Sequence, residues 1–579
     1  MVMKPAQTAE ASMRAGLTLE PLLYALLFLI ALGIRLLGLG SAQSLSSLEA
    51  VQAWPAWLDA MNRQIPILSP AQSPLLYSAQ RTLFWLTGGG GELWARIFPA
   101  LAGSLLVLVP WGLRRQVGRG GALILALLFT VDPWLLVFSR LGDGAILSVV
   151  TGLVVWIVLL NGQSLSTLQR RLAMVAAALF LISGPLAWLL LPILLATALL
   201  YPPAFPEDRR ERSWLAILFA GTLVLAATGW LAYWQGLGIL SHSLTVAFSF
   251  LAGESSYPLV WPWLRLLVDQ PLLVVFGLTG IGFLWAGQSS PDRRWAILLT
   301  GWLIYAGLIL LLPGRNPITL LLVALPLSLA AASLVARLLR FCTTETDWQD
   351  GALIAITLGV LLVTSFFLTA NYLRPGDSDP RLLLFYLILP VLVAFFIWWS
   401  GWRTTAQITG LVTVTIFFLV TLSSARMLTL HGDLVRGNQL FAETTQPGVR
   451  LLAEDVAHLS AIRLGDPGQA VVLAQVDPEL QPSIGWHLRF VRDLRFLSAV
   501  DPNSLDGRTF VITGADGQPP LPDRTIGSRY AVRSRWLPTD LEEEAVAWGL
   551  SPRLLRWFLF RELRELPPRE SVVLWVQEE

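Results

Sequence analysis

The sequence predicts a polytopic α-helical membrane protein that carries a small C-terminal α/β domain outside the membrane. Three observations support this. Hydrophobic residues make up 55% of the chain and charged residues only 14%, with a mean hydropathy of +0.62, whereas soluble domains usually carry about 25% charged residues. The apolar residues fall in runs of about 20, long enough to cross a bilayer. After Met427 the runs shorten, and charges, prolines and turn residues take over.

In chain order, Lys4 and Arg14 precede an apolar run without a small-residue cleavage site, so that run reads as a retained first span and not a signal peptide. Hydropathy and length then give about 13 spans: 19–39, 95–113, 120–138, 145–161, 172–186, 187–203, 213–234, 270–287, 294–313, 317–339, 351–372, 382–400 and 405–424. The pair around Ser183-Gly184-Pro185 also reads as one kinked span. Arginines mark alternate loops: Arg114/Arg115/Arg119, Arg170/Arg171, Arg209/Arg210/Arg212, Arg293/Arg294, Arg337/Arg340 and Arg403. Positive charge is retained in the cytoplasm, so these loops and the N-terminus are expected inside a cytoplasmic (inner) membrane. Residues 40–94, 139–144, 235–269, 314–316, 373–381 and the C-terminal domain then lie outside. The expected domains are 1–426 in the membrane and 427–579 beyond it.

Two outer loops are too long to be turns. Residues 40–94 contain two short helices, Glu49–Asn62 and Ser73–Leu86, and then Gly88–Gly91, which reads as a hinge because no Gly-Lys-Ser/Thr follows it. Residues 235–269 hold Leu244–Leu251 and Trp261-Pro-Trp263, both suited to the membrane interface. In the C-terminal domain, Val471–Ala474, Thr509–Ile512 and Ser571–Val576 read as buried strands, and Gln446–Ile462 and Leu541–Leu550 as helices.

Several function classes are disfavoured. A net charge of +2 gives no hint of nucleic-acid binding, and the single Cys342 cannot form an intrachain disulfide or a thiolate cluster. His242, His431, His458 and His487 show no i, i+4 metal pair. Trp486-His487-Leu488-Arg489 reads as a packed edge before it reads as a glycan-binding patch. No internal repeat or acid deep in a span points to a transporter, and no span carries a channel-like polar stripe. Ionisable residues cluster instead at the outer span ends: Glu49, Asp132 and Asp143 with Arg96, Arg140 and Arg315. Carboxylates can take a proton or hold a cation, and arginine can clamp phosphate. The same residues also simply mark where helices leave the bilayer.

The stretch Ala95-Arg96-Ile-Phe-Pro-Ala-Leu-Ala-Gly103, the basic turn Arg114-Arg115…Gly118-Arg119, Asp132-Pro133, and Phe138-Ser139-Arg140…Asp143 come in order. Together they resemble the dolichyl-phosphate-mannose protein mannosyltransferase superfamily, which includes bacterial aminoarabinose transferases and related GT-C glycosyltransferases. The pattern covers residues 20–160, and Gly314-Arg315-Asn316-Pro317 resembles the family's basic outer loop. The resemblance implies a GT-C-like fold and inverting transfer of a sugar from a polyprenyl-phosphate carrier at the outer face. The acceptor would be a protein, lipid or glycan. It implies Glu49 and Asp143 as catalytic acids, which would also hold a divalent cation (Mg or Mn) if one is used. It implies Arg96, Arg140, Arg315 and Tyr77 as substrate-binding residues, with membrane lipids as the surroundings.

The chain departs from the family pattern at two positions. Leu48 stands where the family's Asp-Glu pair has aspartate, and Ser73-Pro74-Leu75-Leu76-Tyr77 stands where a His-Pro-Pro-Leu-like segment is expected. Leucine can neither accept a proton nor bind a cation. Three readings follow: Glu49 takes over the role, Asp143 carries it alone, or the chain is a degenerate member acting as a lipid-carrier binder or envelope scaffold.

Overall fold

The computed structural model describes residues 6–40, 44–63, 71–162, 165–202, 208–234, 236–287, 290–344, 348–372, 385–429, 440–500, 509–515, 525–536, 557–561 and 568–577. The membrane part begins with α1 (Ala6–Leu36), followed by two outer helices, α2 (Ser47–Ala60) and α3 (Pro74–Thr87). Next come α4 (Glu92–Leu105), α5 (Arg114–Val131), α6 (Pro133–Arg140), α7 (Ala145–Leu160), α8 (Thr167–Leu181), α9 (Pro185–Leu200) and α10 (Arg209–Ala227). The rest are α11 (Gly236–Ala252), α12 (Trp261–Asp269), α13 (Pro271–Ala286), α14 (Ser290–Leu311), α15 (Leu320–Thr344), α16 (Trp348–Tyr372), α17 (Phe385–Ser400) and α18 (Trp402–Thr429).

Local chemistry sets the outer helices. Ser46 caps α2 in a capping box with Glu49, and Ser73 caps α3 ahead of Pro74. Gly88 closes α3 in the left-handed conformation. Both helices match the sequence expectation to within two residues. The Ser183-Gly184 break likewise separates α8 from α9.

The span count differs from the expectation. Six helices among the described residues are long and apolar enough to cross a membrane, or eight if each of two bent pairs is one span. The chain is thus a multi-pass membrane protein by helix length and composition. The expected span 120–138 is cut at Asp132-Pro133, where Asp132 caps α6, and α6 meets α7 at 117°. The apolar runs before and after Ser183-Gly184 form helices of only 15 and 16 residues. α15 is the hub: its apolar 18-residue stretch is wholly buried, and α13, α5 and α14 pack around it.

Beyond α18, a six-stranded sheet is built from β1 (Glu443–Thr445), β2 (Val471–Gln475), β3 (Asp493–Phe496), β4 (Thr509–Gly514), β5 (Thr525–Arg535) and β6 (Arg569–Gln577). Their order is β1-β5-β6-β4-β2-β3. β2 pairs parallel with β3 and β4, and the other pairings are antiparallel. All three expected strands are present, while the expected helix Leu541–Leu550 lies outside the described residues. α19 (Gly448–Leu464) and α20 (Gln481–His487) complete this unit. α20 docks on α2. Trp486 is fully buried against Phe84 at 5.7 Å, and Arg450 and His487 converge on Glu92 at the start of α4. The Trp486 segment is therefore packed, as its sequence suggested.

Candidate active site

The two expected catalytic acids sit close together in opposite environments. Glu49 projects from the first turn of α2 and is 1% exposed. Its Oε1 accepts from Arg96 Nε at 2.6 Å and from the Gly142 amide at 2.8 Å. Its Oε2 accepts from Arg96 Nη2 at 2.8 Å and from the Ser46 amide and hydroxyl, each at 2.9 Å. Burial works against the charge, but the Arg96 guanidinium and the Ser46 and Gly142 donors outweigh it and hold the carboxyl below the usual range. Neither oxygen has a lone pair left for a substrate.

Asp143 lies in the turn between α6 and α7. Its Oδ1 accepts from the Ala145 amide at 2.9 Å, while Oδ2 is buried without a hydrogen-bond partner among the described residues. Burial pushes its pKa up to about 7, against the Ala145 hydrogen bond and with help from the Glu49 charge. It lines a narrow cleft of about 20 Å³ with Leu48, Val51, Gln52, Gln72, Ser73, Gly144, Ala145, Pro185, Leu186 and Ile318. Glu49 points away from this cleft toward Arg96, and Leu48 faces into it.

Close backbone contact fixes the turn. A side chain on Gly144 would put its Cβ 2.2 Å from the Ser183 carbonyl oxygen and 2.7 Å from Ser73 Cβ. Gly184, at φ +146, lies against Gly144 from the other side. Ser73 Oγ donates to the Ser183 carbonyl at 2.6 Å. The serine in the histidine-like position thus ties α3 to the α8–α9 break.

The expected arginines do not gather around Asp143. Arg96 and Arg140 line a second cleft with Gly38, Leu39, Val137, Leu141, Leu428 and Thr429. Arg140 Nη1 donates to the carbonyls of Ile34, Arg35 and Leu37, closing the end of α1. Arg315 donates to the carbonyls of Tyr257 and Leu312 and is half-exposed on the loop that leads to Ile318 of the Asp143 cleft. Tyr77 is buried, donates to the Pro55 carbonyl at 3.3 Å and stacks on Tyr233 at 5.1 Å, so it serves packing between α3 and the α10–α11 turn. Asp132 is spent on the Trp134 and Leu135 amides and on Gln270.

Sequence reasoning passed over Gln52, whose Nε2 donates to the Ser73 carbonyl and whose Oε1 accepts from the Gln72 and Ser73 amides. Its signal was the four-residue step from Leu48, which puts both on one helix face. A divalent ion would need several oxygen ligands. Glu49 offers none, Asp143 offers one, and no group of three or more His, Cys, Asp or Glu lies together among the described residues. The described residues do not fit a Mg or Mn site.

No family model and no curated protein matches the sequence. Among solved structures, ArnT from Cupriavidus metallidurans in the apo state aligns with a TM-score of 0.50 at 14% identity, over 95% of this chain and 97% of that one. The fold is GT-C-like. The same ArnT bound to undecaprenyl phosphate aligns with a TM-score of 0.49 at 16% identity, over 95% and 97% of the two chains. An Archaeoglobus fulgidus oligosaccharyltransferase complex with Zn and sulfate aligns with 0.42 at 12% identity, over 85% of this chain and 68% of that one.

Proposed function

We propose that this protein is a membrane glycosyltransferase that moves a sugar from a polyprenyl-phosphate donor to an acceptor at the outer face of the membrane, with Asp143 as the general base. The observation that carries this reading is that Asp143 lines a cleft and its buried Oδ2 has no hydrogen-bond partner among the described residues. A base must have an unspent oxygen and a pKa near working pH, and Asp143 has both. The GT-C-like fold and the motif order through residues 20–160 support the same chemistry by analogy. Glu49 and Arg96 position the Gly142-Asp143 turn. Arg315 receives the leaving phosphate. A single free carboxylate suits one-step inverting displacement, since double displacement with retention calls for two carboxyl groups about 5 Å apart.

The cleft faces outward in this reading. The arginines that open α10 lie at the opposite end of that helix from Gly229, which packs against Ser78 of α3, and this supports an extracytoplasmic side for α3 if the arginines stay inside. One observation favours the degenerate alternative, a lipid-carrier binder: Leu48 turns an apolar side chain into the cleft where the family pattern has an acid.

The test is consumption of radiolabelled polyprenyl-phosphate sugars by membranes carrying the intact chain. Turnover that Asp143→Asn removes by about a hundredfold or more supports the transferase. Binding of labelled polyprenyl phosphate with no turnover by the intact chain moves the assignment to the carrier binder.

A further inference from the structure

Resting on the transferase reading, we infer that the group glycosylated in the Asp143 cleft is a neutral hydroxyl flanked by apolar surface, and not a phosphate. The first argument is hydrogen-bond capacity. Gln52 spends both ends of its amide on Ser73 and Gln72. Ser73 Oγ donates to Ser183 and accepts from the Leu76 amide. Asp143 Oδ1 is held by Ala145, which leaves Oδ2 as a buried acceptor without a donor among the described residues. A hydroxyl brings the missing donor. A phosphate dianion brings only acceptors.

The second argument is charge. Asp143 is the one ionisable side chain among the described residues that line the cleft, and the apolar Leu48, Val51, Ala145, Pro185, Leu186 and Ile318 make up six of the eleven. An anionic nucleophile would meet a carboxylate with no cation beside it. Arg315, three residues before the cleft residue Ile318 in the chain, serves one phosphate in the transferase reading, that of the donor. The third argument is need. A phosphate is already deprotonated and requires no base, whereas an alcohol must lose its proton as it attacks.

The step balances. The acceptor O–H proton passes to Asp143 Oδ2. The hydroxyl oxygen forms the bond to the anomeric carbon, and the bond from that carbon to the phosphate oxygen breaks. Polyprenyl phosphate departs with the electron pair, and Asp143 later releases its proton to water.

The experiment uses the purified full-length chain, a panel of radiolabelled polyprenyl-phosphate sugars, and two acceptor probes at equal concentration, octanol and octyl phosphate. The expected result is label on octanol in a product stable to mild acid, formed at least tenfold faster than any product on octyl phosphate and reduced about a hundredfold or more by Asp143→Asn. Preferential labelling of octyl phosphate, as an acid-labile glycosyl phosphate, overturns the inference while leaving the transferase reading intact. Failure to consume any donor with either probe overturns both. The two probes are compared in the unmodified chain, so the result stands even if the variant does not fold.

Discussion

Glu49 and Asp143 are both buried carboxylates, joined through the Gly142-Asp143 turn, and the structure treats them oppositely. Glu49 is met by five donor contacts from Arg96, Ser46 and Gly142. Among the described residues, Asp143 is met by one backbone amide and keeps an oxygen bare. Saturation makes a carboxylate a structural brace and holds its proton affinity low. Deprivation raises that affinity toward neutral pH and leaves a lone pair available for chemistry. The contrast shows that the acid nearest the family motif is not always the one free to act.

Three experiments sharpen this contrast, in order of decreasing effect. Gly144→Ala would drive a methyl group into the Ser183 carbonyl and shift Asp143. Turnover is expected to fall by about a hundredfold, the usual consequence of a misplacement near 1 Å. Gly120→Ala, at a site with open space, is expected to change nothing. Full activity in Gly144→Ala would mean that the turn does not position the base.

The second experiment is a pH profile. The base must be ionised, and burial holds the Asp143 pKa near 7. Rate is expected to level off above that value and to fall about tenfold per unit below it, as protonation removes the base. A profile flat down to pH 5 would assign the chemistry to another group.

The smallest effect concerns Leu48→Asp, which places a second carboxylate on the same cleft wall. Two like charges in one site raise one proton affinity, so the midpoint of the profile is expected to move up by about one unit. An unchanged midpoint would show that the two positions do not share a site.

Much of this was legible in the sequence. Hydropathy marked the bundle. Glu49–Asn62 and Ser73–Leu86 marked α2 and α3, and the runs at Val471, Thr509 and Ser571 marked three strands. The span count was less legible, because Asp132-Pro133 and Ser183-Gly184 break apolar runs into shorter helices that hydropathy alone counts as full crossings. At the site, the position of Asp143 in the turn after α6 was readable from the motif order. The fate of Glu49 was not. Its saturation depends on Arg96 and Gly142, which lie 47 and 93 residues away and whose contact depends on how α2, α4 and the α6–α7 turn pack. Arg140 was misleading for a related reason: local sequence cannot show that the open end of α1 lies beneath it.

The most direct test of the account measures turnover and thermal unfolding together for Asp143→Asn and Glu49→Gln. Asp143→Asn removes a buried charge that lacks a partner, so the account predicts a chain that melts no lower than the parent but turns over donor about a hundredfold or more slowly. Glu49→Gln strands the Arg96 charge, so the account predicts a loss of about 3–5 kcal/mol in stability. The folded fraction should keep a base-dependent pH profile whose midpoint moves down, because the Glu49 charge no longer raises the Asp143 pKa. Reversed outcomes, with Glu49→Gln stable but inactive and Asp143→Asn active, would contradict the assignment of chemistry to Asp143 and of architecture to Glu49.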